Sequence, residues 1–300
     1  MSSSASFNRG ISHFPLELTH TIIDFLDNNP AALANCALVC RAWVYRSRVH
    51  LFQGIQFKAR NPAVIDRFIQ LLKPPDWDAS DASADADRQT MILPISTFHH
   101  HVRYVEFDQR PEGNVIEQQG FAKFSPELLR WLSHCSGISG VAINSCVGVM
   151  GPSALLIPAT FPNVTRLFMN NLEYKYEDVA CLSNFISGFP LLEMLNLYVQ
   201  FDRSVEILQG DSEESNEHGG SFATISPHIR VVHLSTNLFK PLCRWLSASH
   251  QQLSNLKCLR IEFRLAQDLH SVGTLISKAG PWLEKLMVQL FYDEVPAGWS

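Results

Sequence analysis

Cys36 and Cys40 stand four apart in the stretch CALVCRAW, with His20 before them and His50 after, so two thiols and two imidazoles are available in the number a tetrahedral zinc site requires. The spacing argues against such a site. Structural zinc knuckles hold two cysteines on a tight turn as CxxC, and the chain contains no CxxC. One helical turn apart, Cys36 and Cys40 suit compact packing on a helix instead. His99, His100 and His101 form a second candidate set, but successive side chains entering a strand point to opposite sides and cannot converge on one ion. A polar strand entrance is their expected role, and no metal site and no cofactor are expected. Ser, His and Asp are plentiful, yet the chain has no GxSxG elbow, no GxxxxGK phosphate loop, no HExxH and no GxGxxG between a strand and a helix. Nothing fixes the geometry of a catalytic group, so the chain is expected not to be an enzyme.

Three hundred residues at 46% hydrophobic can bury a large core, and 18% charged is too low for a disordered chain. A net charge of -5 without clustered Lys and Arg excludes a general nucleic-acid surface. The opening MSSSASFNRG lacks the apolar stretch of a secretory signal, and residues 1–11 are expected to be disordered. From Trp131 to Thr165 there is no Asp, Glu, Lys or Arg, but Asn144, Ser145, Gly148, Gly151, Pro152 and Pro158 break the segment into runs too short to span a membrane. Seven cysteines without CxxC fit a reducing compartment, cytoplasmic or nuclear, in which the sequon Asn163-Val164-Thr165 stays unmodified.

The elements that must position any functional residue follow one repeat, apolar-x-x-apolar-x-apolar. It occurs as FQGIQF (52–57), VRYVEF (102–107), ISGVAI (138–143), VTRLFM (164–169), LEMLNL (192–197), IRVVHL (229–234), LKCLRI (256–261) and LEKLMV (283–288), which predicts eight strands. The central residues Ile55, Val105, Val141, Leu167, Leu195, Val232, Leu259 and Leu286 are separated by 50, 36, 26, 28, 37, 27 and 27 positions. Acidic, apolar-poor stretches at 74–90 and 209–221 account for two of the long steps as solvated loops, and the polar stretch from Asp108 accounts for the third. Pro162, Pro190, Pro227 and Pro281 each stand two residues before a pattern, where proline ends a helix without disturbing a ladder. Between strands the spacing becomes helical: Ile65, Phe68, Ile69 and Leu72 after Asn61-Pro62; Leu128, Leu132 and Cys135 after Ser125-Pro126; Val179, Leu182, Ile186 and Phe189; Leu265, Leu269, Val272, Ile276 and Ala279. The segment between Val141 and Leu167 is proline-rich and is expected to hold only a turn.

Strand, helix, strand at a period near 27 resembles the leucine-rich repeat, LxxLxLxxN/C followed by a helical segment, over roughly residues 50 to 290. The ninth position is Cys146 and Asn237 in two repeats but Leu172, Gln200, Arg264 and Phe291 in others, so an irregular solenoid is expected. The resemblance implies an α/β fold with parallel strands on the concave face and helices outside; an ordinary α/β domain is the alternative. It also implies that the fifth pattern position faces the concave side. That row is Gln56, Glu106, Ala142, Phe168, Asn196, His233, Arg260 and Met287, a mixture suited to a protein surface, and Glu106, Phe168, Asn196, His233, Arg260 and Met287 are the candidate substrate-binding residues. The chain ends soon after the last pattern, at VPAGWS, and an open sheet end there would invite pairing with another chain or signal a shortened protein.

Ahead of the repeats, Leu18, Ile22, Phe25 and Leu26 mark one helix, Asn29-Pro30 restarts a second carrying Leu33, Ala37 and Cys40, and a third runs from Arg41 to Leu51. Three short helices make a small core that needs help from a partner or the repeats. Residues 12–51 resemble the F-box, in Phe14-Pro15-Leu16-Glu17-Leu18, then Ile22, Ile23 and Leu26, then Leu38-Val39-Cys40-Arg41-Ala42-Trp43, with Phe14 where the family has leucine. The resemblance implies docking on the adaptor Skp1, and through it a cullin, by Phe14, Pro15, Leu16, Leu18, Ile23, Leu33, Val39 and Trp43. Leu18 and Ile22 fit an internal core equally well. Six basic residues against three acidic ones in residues 1–60 would steer that encounter. The expected function is a substrate-recognition adaptor of a Skp1-cullin ubiquitin ligase. The alternative is a protein-binding scaffold outside a ligase. Neither assigns this chain a nucleic-acid or membrane partner.

Overall fold

The computed structural model describes residues 15–72, 99–109, 126–145, 154–174, 179–201, 222–237, 239–249, 252–263 and 269–290. Phe14, residues 1–11, the acidic stretches 74–90 and 209–221, Leu265 and the ninth-position residues Cys146, Arg264 and Phe291 lie outside them. The chain divides into two compact units, Met1–Gln53 and Gly54–Ser300.

The first unit has three helices, α1 (Leu16–Asp24), α2 (Pro30–Val39) and α3 (Arg41–Leu51). Asn29 caps α2 by accepting from the Ala32 N–H at 3.0 Å, and Pro30 takes the first helical position, where a missing N–H costs nothing. Cys40 differs from expectation. Its backbone is extended, φ -160° and ψ 165°, so it joins α2 to α3 and does not share a helical face with Cys36. α3 packs against both α1 and α2.

In the second unit every repeat pattern becomes a strand: β1 (Gly54–Lys58), β2 (Tyr104–Asp108), β3 (Gly140–Asn144), β4 (Arg166–Tyr174), β5 (Met194–Phe201), β6 (Val231–Thr236), β7 (Cys258–Phe263) and β8 (Lys285–Leu290). The sheet is wholly parallel in chain order, β1 to β8. Each strand begins two residues inside its pattern. The first apolar residue, such as Val102, Val164, Leu192 or Ile229, is buried beneath the turn that leads in.

One hydrogen-bond arrangement repeats along the strand entrances. The N–H groups of Ser139 and Gly140 both donate to the Arg103 carbonyl, those of Thr165 and Arg166 to Ser139, those of Glu193 and Met194 to Thr165, those of Arg230 and Val231 to Glu193, those of Lys257 and Cys258 to Arg230, and those of Glu284 and Lys285 to Lys257, all at 2.8 to 3.0 Å. Ladder register follows from it. Ile55, Val105, Val141, Leu167, Leu195, Val232, Leu259 and Leu286 are successive partners in one row across the sheet.

Parallel neighbours need crossovers, and crossovers that always advance in one direction with one handedness put their helices on one face. Among the described residues these are α4 (Pro62–Leu72), α5 (Pro126–Leu132), α6 (Leu156–Thr160), α7 (Val179–Ser187), α8 (Lys240–Ala248) and α9 (Leu269–Ala279). α4 packs on α5, α5 on α6, α7 on α8 and α8 on α9. Gly188, just after α7, bridges the remaining step, since a Cβ there would stand 2.7 Å from Pro158 of α6. α6 replaces the expected turn between β3 and β4. It is a single five-residue turn of helix, which is as much as a segment with Pro158 inside and Pro162 behind it sustains. α8 was not signalled by apolar spacing. Pro241 sits in its first turn, and Phe239, Leu242, Trp245 and Leu246 are buried, with the Trp245 indole N–H satisfied by the Ala223 carbonyl at 2.8 Å.

The core is one cluster running from Phe57 to Ala279 between helices and sheet. Along β5 to β7 burial alternates strictly, with Leu195, Leu197, Val232, Leu234, Leu259 and Ile261 inside and their neighbours half-exposed on the opposite face. At the far end the same rows lose their cover. Leu286 is 45% exposed where Leu195 is 0%. Leu195→Ala should therefore cost about 2–5 kcal/mol in denaturant unfolding, and Leu286→Ala in the same row well under half of that, because only a buried side chain leaves a cavity.

Candidate functional site

Two surfaces carry the sequence-predicted residues, one on each unit. The first unit buries Thr19, Ile23, Leu33 and Ser47, and Ser47 Oγ has no hydrogen-bond partner. Leu26, Trp43, Val44, Val49, Leu51 and Phe52 are half-buried, and the remaining large apolar side chains face outward: Leu16, Leu18, Ile22 and Tyr45 are exposed, Phe25 is 84% exposed, Leu38 85% and Val39 62%. Two of the residues assigned to docking, Ile23 and Leu33, are 0% exposed and form the interior of this unit. Pro15, Leu16, Leu18 and Val39 are exposed and Trp43 is half-buried, while Phe14 lies outside the described residues. The open alternative at Leu18 and Ile22 resolves to surface. Phe25 and Leu38 were read only as helix periodicity and motif; their exposure is set by the packing of three helices, which spacing along one helix does not specify.

A charged clamp links α1 to α3. Arg46 on α3 donates from Nε and Nη2 to the two carboxylate oxygens of Asp24 at 2.5 and 2.6 Å, and His50 Nε2 lies 2.7 Å from Asp24 Oδ1. Arg46 and His50 are one helical turn apart, so both reach the last residue of α1. Hydrogen bonding from Arg46 is the main reason that the Asp24 carboxyl falls from its ordinary 3.8 to about 2. Arg46 is thereby withdrawn from the basic surface expected to steer a partner.

On the second unit the open face of the sheet carries the predicted row in register: Gln56, Glu106, Ala142, Phe168, Asn196, His233, Arg260, Met287. The row divides into separate environments. Glu106 accepts from Gln56 Nε2 at 2.7 Å and from Asn144 Nδ2 at 2.5 Å, and Asn170 Nδ2 donates to Asn144 Oδ1 at 3.0 Å, which makes an amide strip over β1 to β4. Phe168 meets the Tyr104 ring edge-on at 6.0 Å across β3. Gly140 permits this, since a Cβ there would stand 2.9 Å from the Tyr104 ring. Ala142 is corrected from concave-face contact to fully buried, lying in its row between Glu106 and Phe168. Burial, with Glu106 nearby, pushes the Tyr104 phenol up to about 12, so the aromatic patch stays uncharged.

Asn196, His233 and Arg260 converge on a cavity of about 360 Å³, lined also by Asn170, Tyr198 and Glu262. Arg260 is held as a fork by Glu262 two residues along β7, at 2.5 Å from Nη2 and 2.8 Å from Nε. Burial, with the Arg260 charge beside it, lowers the His233 pKa and favours the neutral imidazole. β4 enters the cavity through a bulge between Met169 and Leu172, with Asn171 in the left-handed region at φ 52° and Ser145, just past the end of β3, at φ 57°. The lining is amide-rich, and its one guanidinium is balanced by its one carboxylate, so it suits hydrogen bonding to polar groups more than capture of a free ion. Tyr198, Ser235 and Glu262 were not predicted; they lie two residues past the predicted row on the same strand face, a displacement that period-two alternation makes available.

Among the described residues no group of three or more His, Cys, Asp or Glu could hold a metal ion, and no helix is long and apolar enough to cross a membrane. His99 and His100 place their rings 3.8 Å apart at the entrance to β2. The chain matches no protein-family model, and no curated protein is similar enough to be matched to it.

The clamp gives a pH-dependent test. A carboxyl with a lowered folded pKa stabilises above its unfolded value, and that stability is lost as pH falls through the folded one, here between 3.8 and about 2. Asp24→Asn should lower the melting temperature of the chain near neutral pH and flatten its decline across that acid window, measured by circular dichroism at a series of pH values.

Proposed function

We propose that this chain is a substrate-recognition adaptor of a Skp1-cullin ubiquitin ligase. The first unit is an F-box that docks on Skp1, and the second is a leucine-rich-repeat-like solenoid that captures a protein substrate on its open sheet face. The supporting observation is the imbalance in the first unit: two fully buried apolar side chains inside, against Leu16, Leu18, Ile22, Phe25, Leu38, Val39 and Tyr45 exposed outside. Such a unit is marginal alone and gains its core by closing on an apolar partner. The docking set is Phe14, Pro15, Leu16, Leu18, Val39 and Trp43 from the motif, with Phe25 and Leu38 added by their exposure.

On the second unit, Glu106, Phe168, Asn196, His233, Arg260 and Met287 remain the candidate substrate contacts, and three of them line the cavity over β4 to β7. The mechanism is proximity. A bound target is held at high effective concentration beside chemistry done by other subunits, in the cytoplasm or nucleus, and no residue of this chain takes part in a covalent step.

Mixing the full chain with Skp1 tests the reading by size-exclusion chromatography. A stable complex is expected for the unaltered chain. Leu38→Asp and Val39→Asp, which place a charge on exposed positions and leave the interior intact, should each weaken binding by roughly tenfold or more, since a desolvated charge costs several kcal/mol. Absence of a complex, or one indifferent to both substitutions, defeats the ligase reading in favour of a scaffold.

A further inference from the structure

β8 closes the sheet with an edge that nothing among the described residues pairs. Every position from Lys285 to Gln289 is exposed, on both faces. Leu286 and Val288 occupy rows that are about 1% and 0% exposed one strand earlier, at Leu259 and Ile261, yet are 45% and 44% exposed themselves. Trp282, in the turn before the strand, is exposed as well. Within β8 the edge has no proline, and its single charge, Lys285, stands at its start, so the strand itself carries neither the proline nor the central charge that stops edge-to-edge pairing.

The backbone decides what can add there. Lys285 donates its N–H to Lys257, so the N–H and C=O groups of Lys285, Met287 and Gln289 face β7 and those of Leu286, Val288 and Leu290 face away. A two-fold axis at Met287 would oppose Leu286 with Val288 of a second copy, both presenting outward groups and both on the helix-covered face. Met287 would then meet Met287, and Lys285 would meet Gln289, with no like charges opposed. An axis between residues would oppose outward with inward groups and form no ladder. An axis at Val288 would oppose Met287 with Gln289, an apolar with a polar side chain.

We propose that β8 is a strand-addition edge for β8 of a second copy of this chain, running antiparallel about Met287 and joining two sheets into one. This surface does not rest on the adaptor reading. A six-residue strand pair buries less than the roughly 1,600 Å² of a standard stable interface, so the dimer exchanges with monomer and its population depends on concentration.

Sedimentation velocity of the full chain across a concentration series should show the average mass rising toward a dimer, with the Leu286 and Val288 amides gaining protection from hydrogen exchange over the same range. Val288→Pro deletes an outward donor while leaving the β7 ladder untouched, as edge strands tolerate. It removes one hydrogen bond per copy and should raise the dissociation constant roughly tenfold or more. Val288→Thr keeps the donor and should preserve the dimer. A monomer at every concentration, or a dimer unaffected by Val288→Pro, overturns the proposal. Should Val288→Pro unfold, amide exchange at Leu286 and Val288 that does not vary with concentration in the unaltered chain overturns it equally.

Discussion

Two adjacent N–H groups converging on one carbonyl at the mouths of β3 to β8 are the interaction on which the second unit depends. From β3 onward each strand enters the sheet hooked to the residue before the previous strand, Arg103, Ser139, Thr165, Glu193, Arg230 and Lys257 in turn. A parallel ladder has no hairpin to set its register, and a slip of one residue would turn every buried side chain outward. The shared carbonyl prevents the slip by fixing the position from which each strand starts. Loops of very different length between strands then leave the rows of leucine and valine in line, because alignment is set at the entrance and not by the length of the crossover. Where β4 departs from this regularity, after Met169, the departure is confined to a bulge, and beyond it Leu172 and Val199 resume the pairing. The bulge lies beside the cavity on the open face, where Asn170 and Asn171 join side chains from β5 to β7.

The first unit obeys the opposite economy. Its buried interior is small, and a surface ion pair, Asp24 with Arg46, adds a connection between α1 and α3 beside the apolar contact. An exposed pair contributes modestly, typically under about 1 kcal/mol. It leaves the apolar side chains free to face outward. The geometry that makes the unit weak by itself is therefore the geometry that offers Phe25, Leu38 and Val39 to a partner.

Period and register were legible in the residues; facing was not. The spacing of Ile55, Val105, Val141 and the five residues after them named every strand and its partner, because a repeated pattern carries its own alignment. Strand starts were read two residues early, since an apolar residue buried in the entering turn looks the same in sequence as one buried in the ladder. Ala142 fell on the open face by alternation, yet it is buried where larger neighbours lie on either side of it, and side-chain size across strands is invisible along one strand. Cys40 was assigned to α2 by spacing, whereas the chain turns there so that α3 can begin at Arg41. Ile23 and Leu33 could not be separated from Phe25 and Leu38 because all four are apolar residues in or at the end of short helices, and only the mutual arrangement of three helices decides which pair is inside.

Each strand of the sheet pairs only with the strands just before and after it. No part of the ladder waits for a distant segment of the chain to arrive, so the entropy of loop closure is met one crossover at a time, whatever the number of strands. Such an array can assemble outward from any interior pair, and it loosens from its ends inward. At β8, as at β1, the strand has one neighbour where the six interior strands have two, and the missing neighbour that leaves Leu286 half in water makes that end a natural starting point for unzipping.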